Sequence, residues 1–261
     1  MRKTYRAHGG SKEYWDKRWS DIPADDGNLN FDRYPGRYAE AAAKRTTGEI
    51  LEAGCGAGRV LIHYHRAGRK IVGMDYIATA IEKISAVEPD IPVYVGDIRE
   101  LPFENSRFEV VLAFGLYHSI EEGVEKALME TKRVLQPGGL LVASVRADNV
   151  QNRIVDYLAA RRAPKNAENK FHKANYTRSE FSALLDQTGF EIETVEYVEN
   201  MPFLYKFRMF RHPTHRNFNE TVARGEGYRL SWFGSKMQTF LIKSFPASFC
   251  NIMVFTARAK A

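Results

Sequence analysis

Short apolar runs that end in glycine or an acidic residue recur along the first half of the chain. They occupy residues 50–51, 71–74, 91–95 and 110–114. Continuous apolar runs of this length are typical of parallel strands that are covered on both faces. Helical patterns lie between them, beginning at Val60 and extending over 78–86 and 121–134. The alternation of strands and helices predicts an α/β fold.

The second half of the chain adds two predicted strands. Residues 190–198 alternate apolar and polar positions, as a half-buried strand does, and residues 251–257 form a last apolar strand. Residues 165–173 are polar and are expected to be a mobile connection. Thr177 and Glu180 form a capping box that opens a helix. The further predicted helices are 31–44, 150–162 and 177–189.

A glycine-rich turn follows the first predicted strand and carries the main chemical signal. Its sequence is Glu52-Ala53-Gly54-Cys55-Gly56-Ala57-Gly58. Glycine permits a sharp turn with positive φ and lets a ligand approach the main chain, and the helix that follows offers free N–H groups. The dinucleotide fingerprint has the spacing G-x-G-x-x-G, which differs from the spacing in this chain. An acid at position 52 would repel a pyrophosphate but suits a cationic ligand.

Three further landmarks follow the glycine turn in order. Asp75 ends the second strand about twenty residues later, where open α/β folds place a carboxylate on ribose hydroxyls. Its two oxygens match a vicinal diol, although a strand-end Asp that caps the helix at Ala78 is the alternative. Gly96-Asp97-Ile98 follows the third strand, and Leu135-Gln136-Pro137-Gly138-Gly139 predicts a turn before the fifth.

This ordered set of motifs resembles the class I S-adenosylmethionine-dependent methyltransferases of the small-molecule type, over residues 49–146. The resemblance implies a Rossmann-like seven-stranded mixed sheet in the order 3-2-1-4-5-7-6, with the last strand antiparallel and helices on both faces. It implies S-adenosylmethionine as cofactor and S-adenosylhomocysteine as product. Glu52 would reach the amino group of the methionine part, and the turn with Gly54, Cys55, Gly56 and Gly58 would pass beneath it.

The same resemblance implies the remaining cofactor contacts. Asp75 would bind the ribose, and Asp97 would accept a hydrogen bond from the adenine amino group. The other residues implied to line the cofactor are Tyr76, Ile77, Ile98, Ala113 and Phe114. The Glu109 position, where the family usually has Asp, is a mild departure from its pattern.

The fourth strand opens into Gly115-Leu116-Tyr117-His118, at the end of the sheet where α/β folds place reacting groups. His118 is the first candidate for a general base because histidine titrates near neutral pH, and a structural role is the alternative. Tyr14 and Tyr117 are weaker candidates. The segment lacks the [DNS]-P-P-[YFW] motif of enzymes that methylate exocyclic amines of bases or glutamine. No metal site is predicted.

Two segments flank the predicted core. Tyr14, Trp15 and Trp19 recur at helical spacing and predict either a helix packed on the core or a lid over the site. Residues 199–248 combine aromatic and basic residues, including Arg208 and Arg224. They suit an anionic aromatic or lipid-like ligand or a membrane surface, whereas the alternative is a helical cap with solvated arginines.

These expectations give one domain, residues 1–261. It is divided into an N-terminal helical lid (1–45), a cofactor-binding core (46–198), a substrate-side insertion (199–248) and a final strand (249–258).

Composition bounds the class of protein and its location. The net charge of +6 and pI near 9.2 suit either an anionic partner or solubility alone. Two cysteines are too few for a disulfide framework or a cysteine zinc site. No apolar run reaches 18 residues and no signal-peptide pattern is present, so we expect a cytoplasmic protein with no transmembrane segment, in which peripheral membrane contact stays open.

The expected function is methyl transfer from S-adenosylmethionine to an O, N or S nucleophile of a small molecule, which could be anionic or aromatic. Three alternatives remain. The first is a nicotinamide oxidoreductase, which the glycine spacing opposes. The second is a methyltransferase for RNA, protein or a lipid- or glycan-linked acceptor, although no RNA-binding domain is evident. The third is a non-enzymatic protein that binds the cofactor or a partner.

Overall fold

Strands and helices alternate along the computed structural model, which describes residues 1–6, 9–24, 29–163, 169–217 and 227–260. The strands are β1 (Arg2–Arg6), β2 (Ile50–Ala53), β3 (Ile71–Asp75), β4 (Val93–Val95), β5 (Phe108–Phe114), β6 (Leu135–Arg146), β7 (Lys170–Asn175), β8 (Phe190–Val198) and β9 (Ile252–Ala259). The helices are α1 (Lys12–Asp21), α2 (Gly36–Ala43), α3 (Arg59–Arg66), α4 (Ala78–Val87), α5 (Val124–Val134), α6 (Val150–Arg162), α7 (Arg178–Gln187), α8 (Trp232–Ser244) and α9 (Pro246–Phe249).

The main sheet has seven strands in the order β4-β3-β2-β5-β6-β9-β8. The first five strands in this order, from β4 through β3, β2 and β5 to β6, are parallel to one another. Strand β9 runs antiparallel to both β6 and β8. Numbered by order within this sheet, the arrangement is 3-2-1-4-5-7-6. The predicted fold class is therefore confirmed.

The core lies on both faces of this sheet. Successive residues of a strand point to opposite faces, so Leu51 and Val111 pack in one apolar cluster while Ile50 and Val110 pack in the other. Helix α5 contributes to the first cluster and α3 to the second. Burial on both faces explains why the parallel strands appear in the sequence as continuous apolar runs.

Two predicted boundaries differ from the structure. The helix predicted over 31–44 begins only at Gly36, after the cis peptide bond between Tyr34 and Pro35. The turn predicted before the fifth strand is a bulge within β6, because Phe108 pairs with Leu135 and Val110 already pairs with Leu140. Gly138, with φ of 74°, lies in this bulge.

The prediction of a mobile connection over 165–173 was wrong for its last residues. Residues 170–175 form β7, which pairs antiparallel with β1 in a second, two-stranded sheet. Neither strand is marked by a local sequence pattern. The first part of that connection, residues 165–168, lies outside the described residues.

Asp156 on α6 connects the small sheet to the large one. Its carboxylate accepts hydrogen bonds from Arg146 at the end of β6 (2.8 Å) and from Arg2 and Arg6 on β1 (2.9 Å each). Burial alone would raise the pKa of Asp156, but the hydrogen bonds and charges of Arg146 and Arg2 lower it below its usual range. This carboxylate is therefore ionised and balances a buried guanidinium.

The C-terminal part contains the predicted helices and a helical insertion. Thr177 and Glu180 form the predicted capping box at the start of α7. Within the insertion, Phe203, Leu204 and Tyr205 are buried, and α8 and α9 follow. Arg224 lies outside the described residues. None of the helices in the described ranges has the length and apolar character needed to cross a bilayer.

We expect Asp156→Ala to destabilise the protein by about 3 kcal/mol, since removing one partner leaves the Arg146 guanidinium buried without its carboxylate. Chemical denaturation gives the free energy of unfolding. Asp186→Ala is the matched control, because Asp186 is exposed and its ion pair is with Lys260, so a change within about 0.5 kcal/mol is expected. Equal effects of the two substitutions would contradict the role given to Asp156.

Candidate functional site

The glycine turn lies between β2 and α3, at the carboxyl edge of the parallel strands. Gly54, Gly56 and Gly58 have φ of 74°, 53° and 77°. A Cβ on Gly56 would lie 2.7 Å from the ring of Trp19, and one on Gly58 would lie 2.9 Å from Ile84. Both the left-handed backbone and these close approaches require glycine.

Glu52 is buried directly before this turn, with 5% of its surface exposed. Its Oε2 atom has no hydrogen-bond partner among the described residues. Burial raises the pKa of Glu52 to about 8, against smaller opposing effects of the Leu61 N–H and the Arg59 guanidinium. A buried carboxyl group of this kind is neutral near pH 7 unless a cation lies beside it.

Asp75, at the end of β3, fixes the shape of the turn. Its Oδ2 accepts a hydrogen bond from Gly56 N–H (2.8 Å), and its Oδ1 accepts one from Ile77 N–H (3.0 Å). Ile77 itself occupies the N-cap position of α4, so the helix-capping alternative for Asp75 is wrong. Burial raises the pKa of Asp75, while these backbone N–H groups favour its ionised form.

The two acids fit the ends of S-adenosylmethionine that the resemblance assigns to them. The unpartnered Glu52 oxygen offers an acceptor for an ammonium group, and each Asp75 oxygen retains a lone pair for a hydroxyl group. The turn between them carries no side chain at Gly54, Gly56 or Gly58 that would block a ligand. The donor and acceptor chemistry of the site therefore matches the cofactor.

The remaining residues predicted to line the cofactor, apart from Cys55, lie beyond Asp75 in the sequence. Ile77, Ile98 and Ala113 are buried, whereas Tyr76 is 50% exposed. Asp97 forms an ion pair with Arg99 (2.6 Å), whose hydrogen bonds lower the pKa of the Asp97 carboxyl group below its usual range. This carboxylate stays ionised and can still accept a further hydrogen bond. Cys55 is buried within the turn, and burial raises its thiol pKa well above the usual value.

His118 lies at the carboxyl end of β5 and contacts Lys173, a residue that the sequence analysis missed. The His118 Nε2 and Lys173 Nζ atoms are 3.0 Å apart, and Lys173 also donates to Ser119 Oγ at 3.0 Å. Burial and the positive charges of Lys173 and Arg146 lower the pKa of His118 well below its usual range. His118 is therefore neutral near pH 7.

Lys173 reaches His118 from the unpredicted strand β7. No carboxylate lies within 4 Å of its ammonium nitrogen in the described parts of the chain. Burial and the charges of Arg146, Arg18 and Arg6 lower the pKa of Lys173 to about 7. No local motif in Phe171-His172-Lys173-Ala174-Asn175 indicates this environment, because it arises from strand pairing across the chain.

The two candidate tyrosines differ in position. Tyr117 is fully buried, and its hydroxyl group lies 2.7 Å from Thr131 Oγ1 in the core beneath α5. This placement turns it away from the sheet edge and opposes its use as a base. Tyr14 is half-buried on α1, edge to face with Trp15.

Helix α1 lies over the glycine turn. Trp15 and Trp19 stack with ring centroids 5.7 Å apart, Trp19 contacts the turn, and Lys173 Nζ lies 5.0 Å from the Trp15 ring. Lys83 on α4 donates to the carbonyls of Trp19 and Ile22, which satisfies the free C-terminal acceptors of α1. The aromatic helix thus spans the distance from the turn to the His118 and Lys173 pair.

Tyr34 is a second residue at this edge that the sequence analysis missed. Its hydroxyl group lies 2.9 Å from Ser144 Oγ, which accepts a hydrogen bond from Gly115 N–H at 2.8 Å. Its ring packs edge to face on Phe114, with centroids 5.6 Å apart. Burial raises the pKa of Tyr34 to about 12, so this hydroxyl group acts as a neutral hydrogen-bonding group.

Comparison with known sequences relates the part of the chain that contains these residues to methyltransferases. A family model described as "Methyltransferase domain" matches residues 51–143, which contain the glycine turn, Asp75, Asp97 and His118. A probable S-adenosylmethionine-dependent methyltransferase of Mycolicibacterium smegmatis is 29% identical over 64% of this chain and 61% of its own length. The chain thus spans about three fifths of that relative.

Solved structures share the fold over nearly the whole chain. A geranyl diphosphate C-methyltransferase of Streptomyces coelicolor A3(2), solved with Mg²⁺, geranyl diphosphate and S-adenosylhomocysteine, has a TM-score of 0.59. It is 14% identical, with 95% of this chain and 97% of that chain covered. The [4+2]-cyclase SpnF has the same TM-score at 17% identity, covering 100% and 98%. The shared fold alone therefore does not specify the reaction.

We expect Lys173→Met to be more stable than the wild type by an amount that grows as pH falls from about 10 to about 7. Over that range the unfolded lysine binds a proton that the folded one, with its pKa of about 7, does not, so wild-type stability declines by at most about 1.4 kcal/mol per pH unit. Denaturation of both proteins across this range measures the difference. Lys126→Met, at an exposed lysine of α5, should show no such trend. A constant difference would contradict the lowered pKa.

Proposed function

Because the chain belongs to the class I S-adenosylmethionine-dependent methyltransferases, we propose that it transfers a methyl group from S-adenosylmethionine to an O, N or S nucleophile of a small molecule. The acceptor would bind at the carboxyl end of β5, below α1. Cofactor binding would use the edge formed by β2 and β3.

The observation that carries this proposal is the unpartnered oxygen of buried Glu52 before the glycine turn. Burying a carboxyl group without a partner is unfavourable, so a ligand that brings an ammonium group there gains a strong interaction. A pyrophosphate at the same position would bring no cation to the carboxyl group and would keep it in its protonated form. This chemistry favours S-adenosylmethionine over a nicotinamide dinucleotide.

The chain's residues have separate tasks in this proposal. The cofactor supplies a methyl group already activated by its sulfonium, so orientation of the acceptor provides much of the rate enhancement. Glu52 holds the ammonium end and Asp75 holds the ribose hydroxyls. Trp15 and Trp19 exclude water from the space between the turn and the acceptor.

His118 and Lys173 would take the proton of the acceptor. The His118 Nε2 and Lys173 Nζ atoms are 3.0 Å apart, and both side chains have lowered pKa values. The pair therefore carries at most one positive charge near neutral pH. When the acceptor attacks the methyl group, its O–H or N–H proton passes to the free nitrogen of the pair. The positive surroundings of this pair also favour an acceptor that carries a negative charge.

Calorimetric titration with S-adenosylmethionine should show that binding releases close to one proton at pH 7. Glu52, with its pKa of about 8, must lose its proton to pair with the ammonium group, whose own pKa is about 8. Affinity should therefore be greatest near pH 8 and fall by up to tenfold from pH 7 to pH 6. Titrations in two buffers of different ionisation enthalpy count the proton.

Two variants identify the source of that proton. Glu52→Gln should bind at least tenfold more weakly and release no proton. Asp75→Ala should also bind at least tenfold more weakly, about 1.4 kcal/mol, yet keep the proton release. If Glu52→Gln bound like the wild type in its folded form, the assignment of Glu52 to the ammonium group would be refuted.

Once an acceptor has been found by screening with labelled methyl donor, kcat/KM should rise with pH through an apparent pKa near 7. Lys173→Arg fixes a positive charge beside His118, so it should lower kcat by about 10² and remove this rise. Lys173→Met removes the charge and should retain more activity at pH 6 than Lys173→Arg. Unchanged activity and pH profile in both variants would exclude the pair from proton transfer.

A further inference from the structure

Helix α8 exposes the apolar side chains that a surface helix normally buries. Trp232 is 77% exposed, and Phe233 and Phe240 are 60% exposed. Met209, 80% exposed, lies in the turn next to Phe210, whose ring stacks on Phe233 with centroids 6.3 Å apart. Lys236 and Lys243 follow Trp232 and Phe240 at helical spacing and are also exposed. We call Met209, Trp232, Phe233, Lys236, Phe240 and Lys243 the α8 outer face.

The inward side of the same helix is small and polar. Gly234 and Gln238 are its buried residues, and a Cβ on Gly234 would lie 2.6 Å from the carbonyl oxygen of Phe210. Gln238 accepts a hydrogen bond from Leu204 N–H (3.0 Å) and donates to Glu199. These contacts fix the rotation of α8, so the aromatic side chains cannot turn inward without leaving Gln238 and its partners unsatisfied.

The charged residues in the described segments that form the outer face are all positive, and Glu199, just before the first segment, is bonded to Gln238 on the inward side. Residues 200–217 and 227–250 contain four and three Lys or Arg residues, seven in all, and no Asp or Glu. Arg208 and Arg216 in these ranges are exposed, as are Lys236 and Lys243. An aromatic patch interspersed with lysines and free of acids is the pattern of a helix that lies in the interface of an anionic membrane.

We propose that the α8 outer face docks the protein on an anionic lipid bilayer. Trp232, Phe233 and Phe240 enter the boundary between headgroups and acyl chains, and Lys236 and Lys243 contact the lipid phosphates. A bilayer accepts protruding side chains without a shaped complement, which agrees with the high exposure of Trp232 and Met209. The proposal does not depend on methyl transfer.

Charge opposes a second copy of this chain as the occupant. A two-fold symmetric contact through this face would place the same patch on both sides. The lysines of both copies would then lie in one contact to which this face contributes no carboxylate, and juxtaposed like charges are unfavourable in an interface. An acidic lipid surface satisfies the same lysines.

Co-sedimentation of the purified full chain with lipid vesicles tests the proposal. Binding is expected to vesicles with about one third phosphatidylglycerol and to be at least tenfold weaker with phosphatidylcholine alone, since each lysine near an anionic surface contributes several-fold in affinity. Raising the salt from about 0.1 M to about 1 M shortens the screening length from about 10 Å to about 3 Å and should release the protein.

Trp232→Ser combined with Phe240→Ser should lower binding to anionic vesicles at least tenfold, with unchanged circular dichroism and melting temperature. Tyr157→Ser is the matched control, because Tyr157 is an aromatic residue 61% exposed on α6, and it should bind like the wild type. Lys236→Gln combined with Lys243→Gln should lower binding about tenfold and weaken its salt dependence.

Three results would overturn the proposal. They are absence of binding to anionic vesicles by the wild type, equal binding of the wild type and the Trp232 and Phe240 double variant, and equal binding to neutral and anionic vesicles. A dimer in gel filtration that the same double variant abolishes, without vesicle binding, would instead identify the face as a contact between copies.

Discussion

Two carboxyl groups buried side by side at the carboxyl edge of β2 and β3 are the constraint on which the site depends. The parallel register pairs Ala53 with Met74, which brings Glu52 and Asp75 to the same end of the sheet. Asp75 is satisfied by backbone N–H groups and thereby holds the glycine turn in its left-handed conformation. Glu52, in contrast, has a buried oxygen without a hydrogen-bond partner among the described residues. A cation beside this oxygen would compensate its burial and favour the ionised carboxylate.

Basic side chains, in contrast to these two carboxyl groups, are gathered at the carboxyl end of β5. Lys173 and His118 lie together with Arg146 nearby, and burial and neighbouring positive charges lower the pKa of each of the two. Asp156 neutralises Arg146 but makes no hydrogen bond to Lys173. The chain thus separates an edge with two buried carboxyl groups from an end with two buried basic groups.

The sequence predicted what is encoded by neighbouring residues. The glycine turn, Asp75 and the parallel strands each appear as contiguous patterns, because their conformation or burial is local. Lys173 was missed because its surroundings come from the pairing of β7 with β1, which joins Arg2 to Asn175 across most of the chain. Tyr34 was missed for the same reason, since its partner Ser144 is 110 residues away.

Helix α8 shows that the spacing of apolar residues in a sequence identifies an apolar helix face but not the partner that buries it. Gln238 has a hydrogen bond at each end of its amide, so its burial is compensated. The rotation that satisfies Gln238 places Trp232, Phe233 and Phe240 in water, where their apolar surface is not buried. The hydrogen bonds of Gln238 therefore set the orientation of the helix. The exposed aromatic side chains can be buried only by contact with another apolar phase. Residues 200–217 and 227–250 carry seven Lys or Arg residues and no Asp or Glu, which favours an anionic one.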